Sequence, residues 1–412
     1  MRWEKVTLSD VSSNIQTGPF GSQLHQSDYS DEGVPVIMPK DLVNGHISEK
    51  SAARVSTSHV DRLSRHKIES GDILYSRRGD VGRCALATEM ERGWLCGTGC
   101  LRVTIDRSKA IPEFIFYQLQ KAETIGWVEK HAVGSTMLNL NTAILGNIPI
   151  DLPQIEEQRA IVSILFVYDN LIENNQKQIK LLEEAAQRLY KEWFVDLRFP
   201  GYENTKIVDG VPEGWKQSCV QDVTRVLRRG ISPQYSDAGN SLAINQKCIR
   251  QSIMDISEGR RQEKSYPDEL NIEDSDIVVC STGAGTLGRV GQVFGVYLNT
   301  VPDSHVTLIR GNDTIGKQYL YHTVKLKEKF LMGMGKGSTN QLELSRAVLQ
   351  KLPILHPSSE CMYSFETFAQ SCHDKICILK NQYECLIEIR DRLISKLMNG
   401  EIELLTDVKE PM

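Results

Sequence analysis

The sequence has no paired cysteines and no targeting or membrane segment. Its ten cysteines stand singly, without a Cys-x-x-Cys pair or a histidine at zinc-site spacing, so we expect neither a disulfide framework nor a metal site. The N-terminal stretch MRWEKVTLSDV lacks the apolar core of a signal peptide, and no run approaches a membrane span. These absences favour a protein of the cytoplasm without a membrane partner.

The chain also lacks an excess of basic residues. It has 48 Lys and Arg against 53 Asp and Glu, a formal net charge of -5. Such a composition does not indicate a nucleic-acid binder, so that role would require local basic clusters or charge from partner proteins. With 412 residues, 40% of them hydrophobic, the chain is long enough for two or three domains, each with its own core.

No hydrolytic motif is present. There is no G-x-S-x-G elbow and no H-E-x-x-H sequence, and the histidines are scattered. We therefore assign no catalytic residue and expect a chain that is not an enzyme.

Two glycine-rich stretches leave a nucleotide-dependent enzyme as an alternative. The segment 283–288, GAGTLG, follows a predicted strand, but a nucleotide-binding turn must open a helix. The next residues, RVGQVFGVYLNTVP, are rich in glycine and β-formers and predict a hairpin instead. The segment 311–318 nearly spells a P-loop, but Gln318 replaces the Ser or Thr that would hold magnesium.

A long helix is predicted in the middle of the chain, over 152–194. Apolar side chains recur there at alternating steps of four and three residues from Ile161 to Trp193, broken only by Asn175. A seven-residue repeat sustained this long is typical of a coiled-coil seam. The helix would be roughly 50 Å long. The predicted seam consists of Ile161, Leu165, Tyr168, Ile172, Ile179, Leu182, Leu189 and Trp193.

The two halves of the chain repeat one another. Trp3 recurs as Trp215, the segment 71–83 recurs as 275–289, and Pro149 recurs as Pro353. The spacing then stays constant, so the first seam predicts a second one, in which Arg390 is the polar exception. That second seam comprises Phe365, Ile376, Leu379, Leu386, Leu393 and Leu397. For both Asn175 and Arg390 a structural role, in register or at an edge, is favoured over a functional one.

Proline and glycine residues, which interrupt helices and strands, mark the domain boundaries. Short β-rich segments separated by glycine indicate the fold class. We predict an α/β fold of the α+β type, with two strand-rich mixed domains and two long helices. The helices can bury their seams against each other, which predicts an antiparallel intramolecular coiled coil with pseudo-two-fold symmetry. The predicted segments are a first domain at 1–151, a central helix at 152–198, a linker at 199–214, a second domain at 215–356, a C-terminal helix at 357–400 and a tail at 401–412.

Polar and basic residues cluster beside the tight turns of both predicted domains. Arginine can clamp phosphates or contact guanine edges, and Asn and Gln can pair with adenine. Two similar domains on a rigid helix pair suit a duplex whose half-sites recur about every 34–36 Å. The candidate DNA-binding residues are Gln16, Thr17, Lys40, Arg77, Arg78, Asn139, Asn141, Arg228, Arg229, Tyr235, Lys247, Arg250, Lys336, Asn340 and Gln341.

These residues resemble one family, the DNA-specificity subunits of type I restriction-modification systems. The resemblance covers nearly the whole chain. Its landmarks are IQTGPFGS, GDILYSRRGDVGR, GSTMLNLN and IPIDLPQIEEQRAI in the first half, and LRRGISPQY, SDIVVCSTGAGTLGR, GSTNQLELS and LPILHP in the second. One departure is that the second half has Cys361-Met362-Tyr363 where the first has Glu157-Gln158-Arg159.

The resemblance implies a non-catalytic reader of double-stranded DNA. Each target-recognition domain would take one half of a bipartite, asymmetric site, and the helices would act as spacer and as docking surface for two methyltransferase subunits. The chain itself would need no cofactor. S-adenosylmethionine would be bound by the methyltransferases, and ATP and magnesium by the restriction and translocase subunits. A coiled-coil adaptor without DNA binding remains the other alternative.

Overall fold

The computed structural model describes residues 3–134, 138–250, 252–335 and 343–402. The chain divides into two compact units. The first unit combines Met1–Ile172 with Cys385–Met412, and the second is Glu173–Glu384. Two long helices connect them, because each helix begins in one unit and ends in the other.

The regular elements follow in chain order. The strands of the first unit are β1 (Glu4–Thr7), β2 (Ser12–Thr17), β3 (Tyr29–Ser30), β4 (Val34–Ile37), β5 (Leu42–Val43), β6 (His46–Ile47), β7 (Ala53–Val55), β8 (Ile73–Ser76), β9 (Cys84–Leu86), β10 (Leu95–Cys96), β11 (Cys100–Ile105) and β12 (Pro149–Leu152). Its short helices are α1 (Thr57–Arg62), α2 (Pro112–Leu119), α3 (Ala122–His131) and α4 (Thr142–Gly146). The first long helix is α5 (Ile155–Phe194).

The second unit continues the series. Its strands are β13 (Ile207–Val208), β14 (Val211–Pro212), β15 (Lys216–Cys219), β16 (Thr224–Arg229), β17 (Ser241–Ile244), β18 (Arg260–Gln262), β19 (Ile277–Cys280), β20 (Val290–Gln292), β21 (Thr300–Pro302), β22 (Val306–Gly311) and β23 (Pro353–His356). Its helices are α6 (Lys317–Leu326), α7 (Glu328–Gly333), α8 (Arg346–Gln350) and the first part of the long helix α9 (Ser359–Met398).

The same sheet plan occurs in both units. In the first, an antiparallel sheet has the order β2-β11-β8-β9, and in the second the order β16-β22-β19-β20. Each unit also has one parallel pair, β4 with β10 and β17 with β21. A two-stranded ribbon, β1-β12 or β15-β23, precedes each long helix. The duplication read from the sequence is therefore a duplication of topology.

The two long helices pair antiparallel. In the second unit Asn175 on α5 donates to the carbonyl of Leu379 on α9 at 3.5 Å, while Phe194 at the end of α5 packs on Phe365 near the start of α9, with ring centroids 5.2 Å apart. The contacts thus run in opposite directions along the two helices. In the first unit Arg390 on α9 contacts Asp169 on α5 at 3.2 Å.

Both polar exceptions of the seam make internal contacts. Asn175 is buried, and its amide uses a helix carbonyl of the facing α9. Arg390 is half-buried between Asp169 and Asp391, and Asp169 also accepts a hydrogen bond from the hydroxyl of Tyr117.

The seam side chains lie on the covered face of each helix. Those that are buried are Ile161, Leu165, Ile172, Phe365, Ile376, Leu379 and Leu397, and those that are half-buried are Tyr168, Ile179, Leu182, Leu189, Trp193, Leu386 and Leu393. Burying such a face compensates for the cost of ordering a long helix, which propensity alone does not.

The end of α9 completes the core of the first unit. Ile394, Leu397 and Met398 join the buried cluster that contains Phe114 of α2. The carbonyl of Met398 also accepts from the side chains of Gln118 and Lys121, at 3.4 and 3.5 Å. The first domain is therefore built from both ends of the chain.

The helix boundaries differ from the predicted ones. The central helix begins at Ile155 rather than at Leu152, because Leu152 still pairs with Glu4 in the ribbon β1-β12. It ends at Phe194, as the repeat predicted, within the predicted segment 152–198. The C-terminal helix occupies Ser359–Met398 within the predicted 357–400.

The glycine-rich loop 283–288 does not open a helix. It is followed by strand β20, which pairs antiparallel with β19, so the two strands form the predicted hairpin. Gly288 has a positive φ, and a Cβ there would lie 2.4 Å from the backbone nitrogen of Met332. The glycines therefore serve a tight turn against α7, and the nucleotide-binding alternative loses its structural basis.

Candidate nucleic-acid interface

In the first unit, candidate residues gather at one end of the sheet β2-β11-β8. Thr17 ends β2, and Arg77 follows the end of β8. The start of β11 lies between them, with Leu101 opposite Thr17 and Cys100 opposite Ser76. We call Gln16, Thr17, Arg77, Arg78 and Asn139 the first basic edge.

Residues 138–140 join the first basic edge from a distant part of the chain. The amide of Leu140 donates to the carbonyl of Arg77 at 2.9 Å, and the amide of Gly79 donates to Leu138 at 3.2 Å. Arg78 and Asn139 form a β-bridge, and Arg77 Nε donates to the carbonyl of Leu140 at 3.3 Å. Arg78 is exposed, and none of the ion pairs among the described residues involves Arg77 or Arg78.

The second unit has the corresponding edge. Arg228 and Arg229 end β16 and lie opposite Leu308 and Thr307 of β22; we call these two arginines the second basic edge. As in the first unit, a segment from later in the chain packs beside this edge. The amide of Leu344 donates to the carbonyl of Ser281, the residue after β19, at 2.8 Å.

Glycine is required directly after the edge strand of each sheet, at Gly18 after β2 and at Gly230 after β16. A Cβ on Gly18 would lie 1.9 Å from the carbonyl oxygen of Gly97, and a Cβ on Gly230 would lie 1.9 Å from that of Pro302. Backbone therefore packs directly on backbone at both edges.

The two edges differ in charge. In the bridging segment of the second unit Glu343 stands where Asn139 stands in the first, because Thr282 and Glu343 form the equivalent β-bridge. Glu343 pairs with Arg229 at 2.5 Å, and Arg228 pairs with Glu269. The guanidinium groups of the second basic edge are thus neutralised by carboxylates of the same unit.

A separate aromatic and basic surface lies around β18. The guanidinium of Arg260 stacks on the ring of Tyr235, 3.7 Å from its centroid, and both side chains are exposed. Together with Ser236, Asp237, Gly259 and Arg261 they line one shallow cavity. We call these six residues the Tyr235 patch; the sequence predicted Tyr235 as a site residue and Arg260 and Arg261 as part of a basic cluster.

The remaining candidates are held in other ways. Lys40 is exposed, and its Nζ donates to the carbonyl of Ser51 at 2.6 Å. Asn141 caps α4, its side-chain oxygen accepting from the amide of Ile144 at 2.8 Å. Lys247 is exposed, and Arg250 pairs with Glu258 at 2.5 Å. Lys336, Asn340 and Gln341 lie outside the described residues.

A buried ion pair supports each sheet and was missed from the sequence. Asp276 of the second unit accepts two hydrogen bonds from Arg310, at 2.7 and 2.6 Å, and Asp72 of the first unit lies 3.5 Å from Arg102. Burial raises the pKa of both aspartates, although the arginines oppose the shift. The matching Asp-Ile dipeptides of the repeat were the signal that could have found them.

The departure at Glu157-Gln158-Arg159 also has a structural counterpart. Buried Gln158 accepts from the amide of Ile111 just before α2, at 2.9 Å. In the second unit Glu366, one turn further along its helix, accepts instead from the amides of Gln318 and Tyr319 in α6, at 3.0 and 3.1 Å. Both units therefore bind the first turn of a short helix to the long helix.

A further observation concerns membranes. Within the part of the chain that the structure describes, no helix is both long and apolar enough to cross a membrane. The fold defines a duplicated protein, in which two sheet domains of the same strand order are connected by two long helices.

Comparison with known proteins finds similarity to one family. Residues 1–184 match the family model described as "Type I restriction modification DNA specificity domain". The chain is 24% identical to the type I restriction enzyme MjaIX specificity subunit of Methanocaldococcus jannaschii, over 98% of this chain and 94% of that protein. It is also 24% identical to the HindI specificity subunit of Haemophilus influenzae, over 97% and 99%.

A solved structure shares the fold. The S subunit of the type I restriction-modification system from M. genitalium superposes with a TM-score of 0.58 at 17% identity, covering 96% of each chain. Over residues 1–184 the chain is thus similar to the type I restriction-modification DNA specificity domain, and over nearly its whole length it is similar to two specificity subunits.

Proposed function

We propose that this chain is the DNA-sequence-recognition subunit of a type I restriction-modification complex, reading a bipartite, asymmetric site with its two domains. The observation that carries the proposal is the duplicated edge of two sheets with the same strand order. Arg77 and Arg78 follow β8 at this edge of the first sheet, and Arg228 and Arg229 end β16 at the same edge of the second. A bipartite site requires two such readers, and different side chains at the two edges would take different half-sites.

The charges support a subunit that grips DNA together with partners. The net charge is -5, and the arginines of the second basic edge are paired with Glu269 and Glu343. Phosphate contacts dominate the affinity of protein–DNA complexes. Partner subunits would therefore supply part of the phosphate contact.

The long helices offer surfaces for such partners. Within the first unit Phe166, Val167 and Leu171 are exposed along α5, and within the second unit Tyr363, Phe368 and Ile378 are exposed along α9. Clusters of exposed large apolar side chains mark interaction surfaces. We assign them to two methyltransferase subunits, which would bind S-adenosylmethionine, and place the restriction and translocase subunits with ATP and magnesium in the same cytoplasmic complex. The chain itself would be non-catalytic.

The test is DNA selection by the assembled complex. The purified chain with its methyltransferase partner should enrich one bipartite sequence from a pool of random duplexes, and the same sequence should carry methylated adenine in the host genome. A coiled-coil adaptor would assemble equally well but show no preference among duplexes, and that outcome would refute the proposal.

The Tyr235 patch should contribute to DNA affinity. The Tyr235 ring supports the Arg260 guanidinium, so Tyr235→Ala should weaken binding of the complex to its own site by about tenfold, ~1.4 kcal/mol. Arg260→Gln should weaken binding and reduce the salt slope by about one. Fluorescence anisotropy at several salt concentrations measures both effects.

Arg250→Gln is the matched control for these variants, because Glu258 already neutralises that guanidinium. It should change the affinity less than Arg260→Gln does. Equal effects of the two substitutions would contradict the assignment of the patch.

A further inference from the structure

Three side chains of different chemistry, none of them a candidate DNA-binding residue, meet in the second unit. Asp274 precedes β19, while His373 and Cys377 are one turn apart on α9. His373 Nε2 lies 2.9 Å from Asp274 Oδ1, and Cys377 Sγ lies 3.9 Å from the same oxygen. One ligand atom from each residue can be chosen so that all three lie within 4.8 Å of one another.

The carboxylate of Asp274 is held in place by its surroundings. Its Oδ1 accepts from the amide of Gly295 at 2.7 Å, and its Oδ2 accepts from the hydroxyl of Ser275 at 3.1 Å. These contacts direct the carboxylate toward α9 without occupying every lone pair.

The imidazole of His373 is oriented as in metal sites. It is buried, and its ring stacks on Phe294 with centroids 4.5 Å apart. Nε2 faces Asp274, whereas Nδ1 lies 3.4 Å from the side-chain oxygen of Gln292. In a histidine ligand, the N–H of the ring nitrogen that does not bind the metal usually donates a hydrogen bond to such an outer partner. This hydrogen bond fixes the tautomer in which the other nitrogen is free to bind the metal.

Cys377 adds a third possible metal ligand to the pair formed by His373 and Asp274. Residues four apart lie on one helix face, so the thiol and the imidazole present their ligand atoms to the same point. The neighbouring cation, Lys380, is engaged elsewhere, because its Nζ contacts the hydroxyl of Tyr297 at 2.7 Å and Glu384 at 2.8 Å.

We propose that Asp274, His373 and Cys377 bind one zinc ion, which fastens α9 to the sheet of the second domain. Thiolate, imidazole and carboxylate are ligands that Zn²⁺ accepts, with water in the fourth position. On binding, the thiol releases its proton to solvent and the neutral imidazole keeps its proton on Nδ1. The two negative charges of thiolate and carboxylate then balance the ion.

No metal site was predicted from the sequence, because its cysteines and histidines do not have the local spacing of a zinc site. Here the carboxylate ligand lies 99 residues before the histidine, and a single His-x-x-x-Cys spacing is not a zinc motif by itself. Only the fold brings the third ligand to the other two.

The test uses the full chain, purified under reducing conditions, stripped with a chelator and titrated with Co²⁺. One equivalent should bind with a thiolate-to-cobalt absorption band in the near ultraviolet, and Zn²⁺ should displace it. Cys377→Ser should abolish the band, and Cys377→Ser and Asp274→Asn should each weaken binding at least about 100-fold, the upper end of what loss of an outer-shell partner costs. Cys385→Ser, which removes an exposed thiol, is the control and should behave like the wild type.

A second measurement does not depend on the folding of variants. Zn²⁺ should protect Cys377 of the wild-type chain from alkylation, as read by mass spectrometry, while Cys385 reacts at an unchanged rate. The proposal fails if no thiolate band forms with the wild type, if Cys377→Ser binds as tightly, or if Zn²⁺ leaves Cys377 unprotected.

Discussion

Exchanging the first domain for that of another family member changes one half of the methylated site and leaves the other half intact. This is the expected result because each unit has its own sheet, its own core and its own edge residues. Sequencing of methylated adenines in a host that expresses the chimaera, with the native methyltransferase subunits, measures it.

The structure fixes the junction for this exchange. A cut at 153–154 lies after β12 and before α5, so the ribbon β1-β12 travels intact with the donor domain. The donor must still fit the recipient helices, because Ile161, Leu165, Ile394 and Leu397 belong to the first core. Positions that contact these four residues should therefore be kept as in the recipient.

The reciprocal exchange is the matched control. Replacing 215–356 should change only the other half of the site. If either chimaera altered both halves, or neither, the assignment of one half-site to each domain would be wrong.

Loss of the Arg310 side chain should strongly destabilise the second domain. Arg310→Met leaves Asp276, which is 2% exposed, without the two hydrogen bonds from the guanidinium. Breaking a buried ion pair from one side typically costs about 3–5 kcal/mol. The chain has two units, so a single unfolding midpoint is not informative; hydrogen exchange of amides in β19 and β22 reports the local free energy of opening.

Two further variants make this prediction specific. Replacing both partners by apolar residues should recover much of the loss, because no uncompensated charge then remains. Arg102→Met in the first domain should cost less free energy of unfolding. Asp72 still accepts hydrogen bonds from the hydroxyl of Thr104 at 2.6 Å and from the amide of Glu69 at 2.8 Å. A larger effect at Arg102 than at Arg310 would show that the bidentate geometry is not what matters.

The architecture was predictable because it rests on periodicity. The heptad spacing and the repeat depend only on residue order, and they predicted two long helices and their mutual pairing. The helix α3 was missed because its sequence, AETIGWVEKH, contains glycine and β-branched residues and buries only Thr124 and Val128. Its helical state depends on packing rather than on a local pattern.

The side-chain contacts of the candidate residues were not predictable from the sequence. Residue type selected Asn141 as a base reader, yet its side-chain oxygen caps a helix. Residue type also selected Arg228 and Arg229 without showing that glutamates far along the chain neutralise them. Side-chain partners are set by tertiary contacts, and no spacing in the sequence encodes them.

The first domain is completed by a segment that is synthesised long after the rest of its core. Its core takes in Ile394, Leu397 and Met398, so a nascent chain still lacking the end of α9 cannot close the domain at its own N-terminus. A ribosome that stops early in the C-terminal helix releases a protein with apolar surface uncovered near its beginning, where proteases can act on it. Completion of the first core is in this way coupled to translation of the C-terminal helix α9.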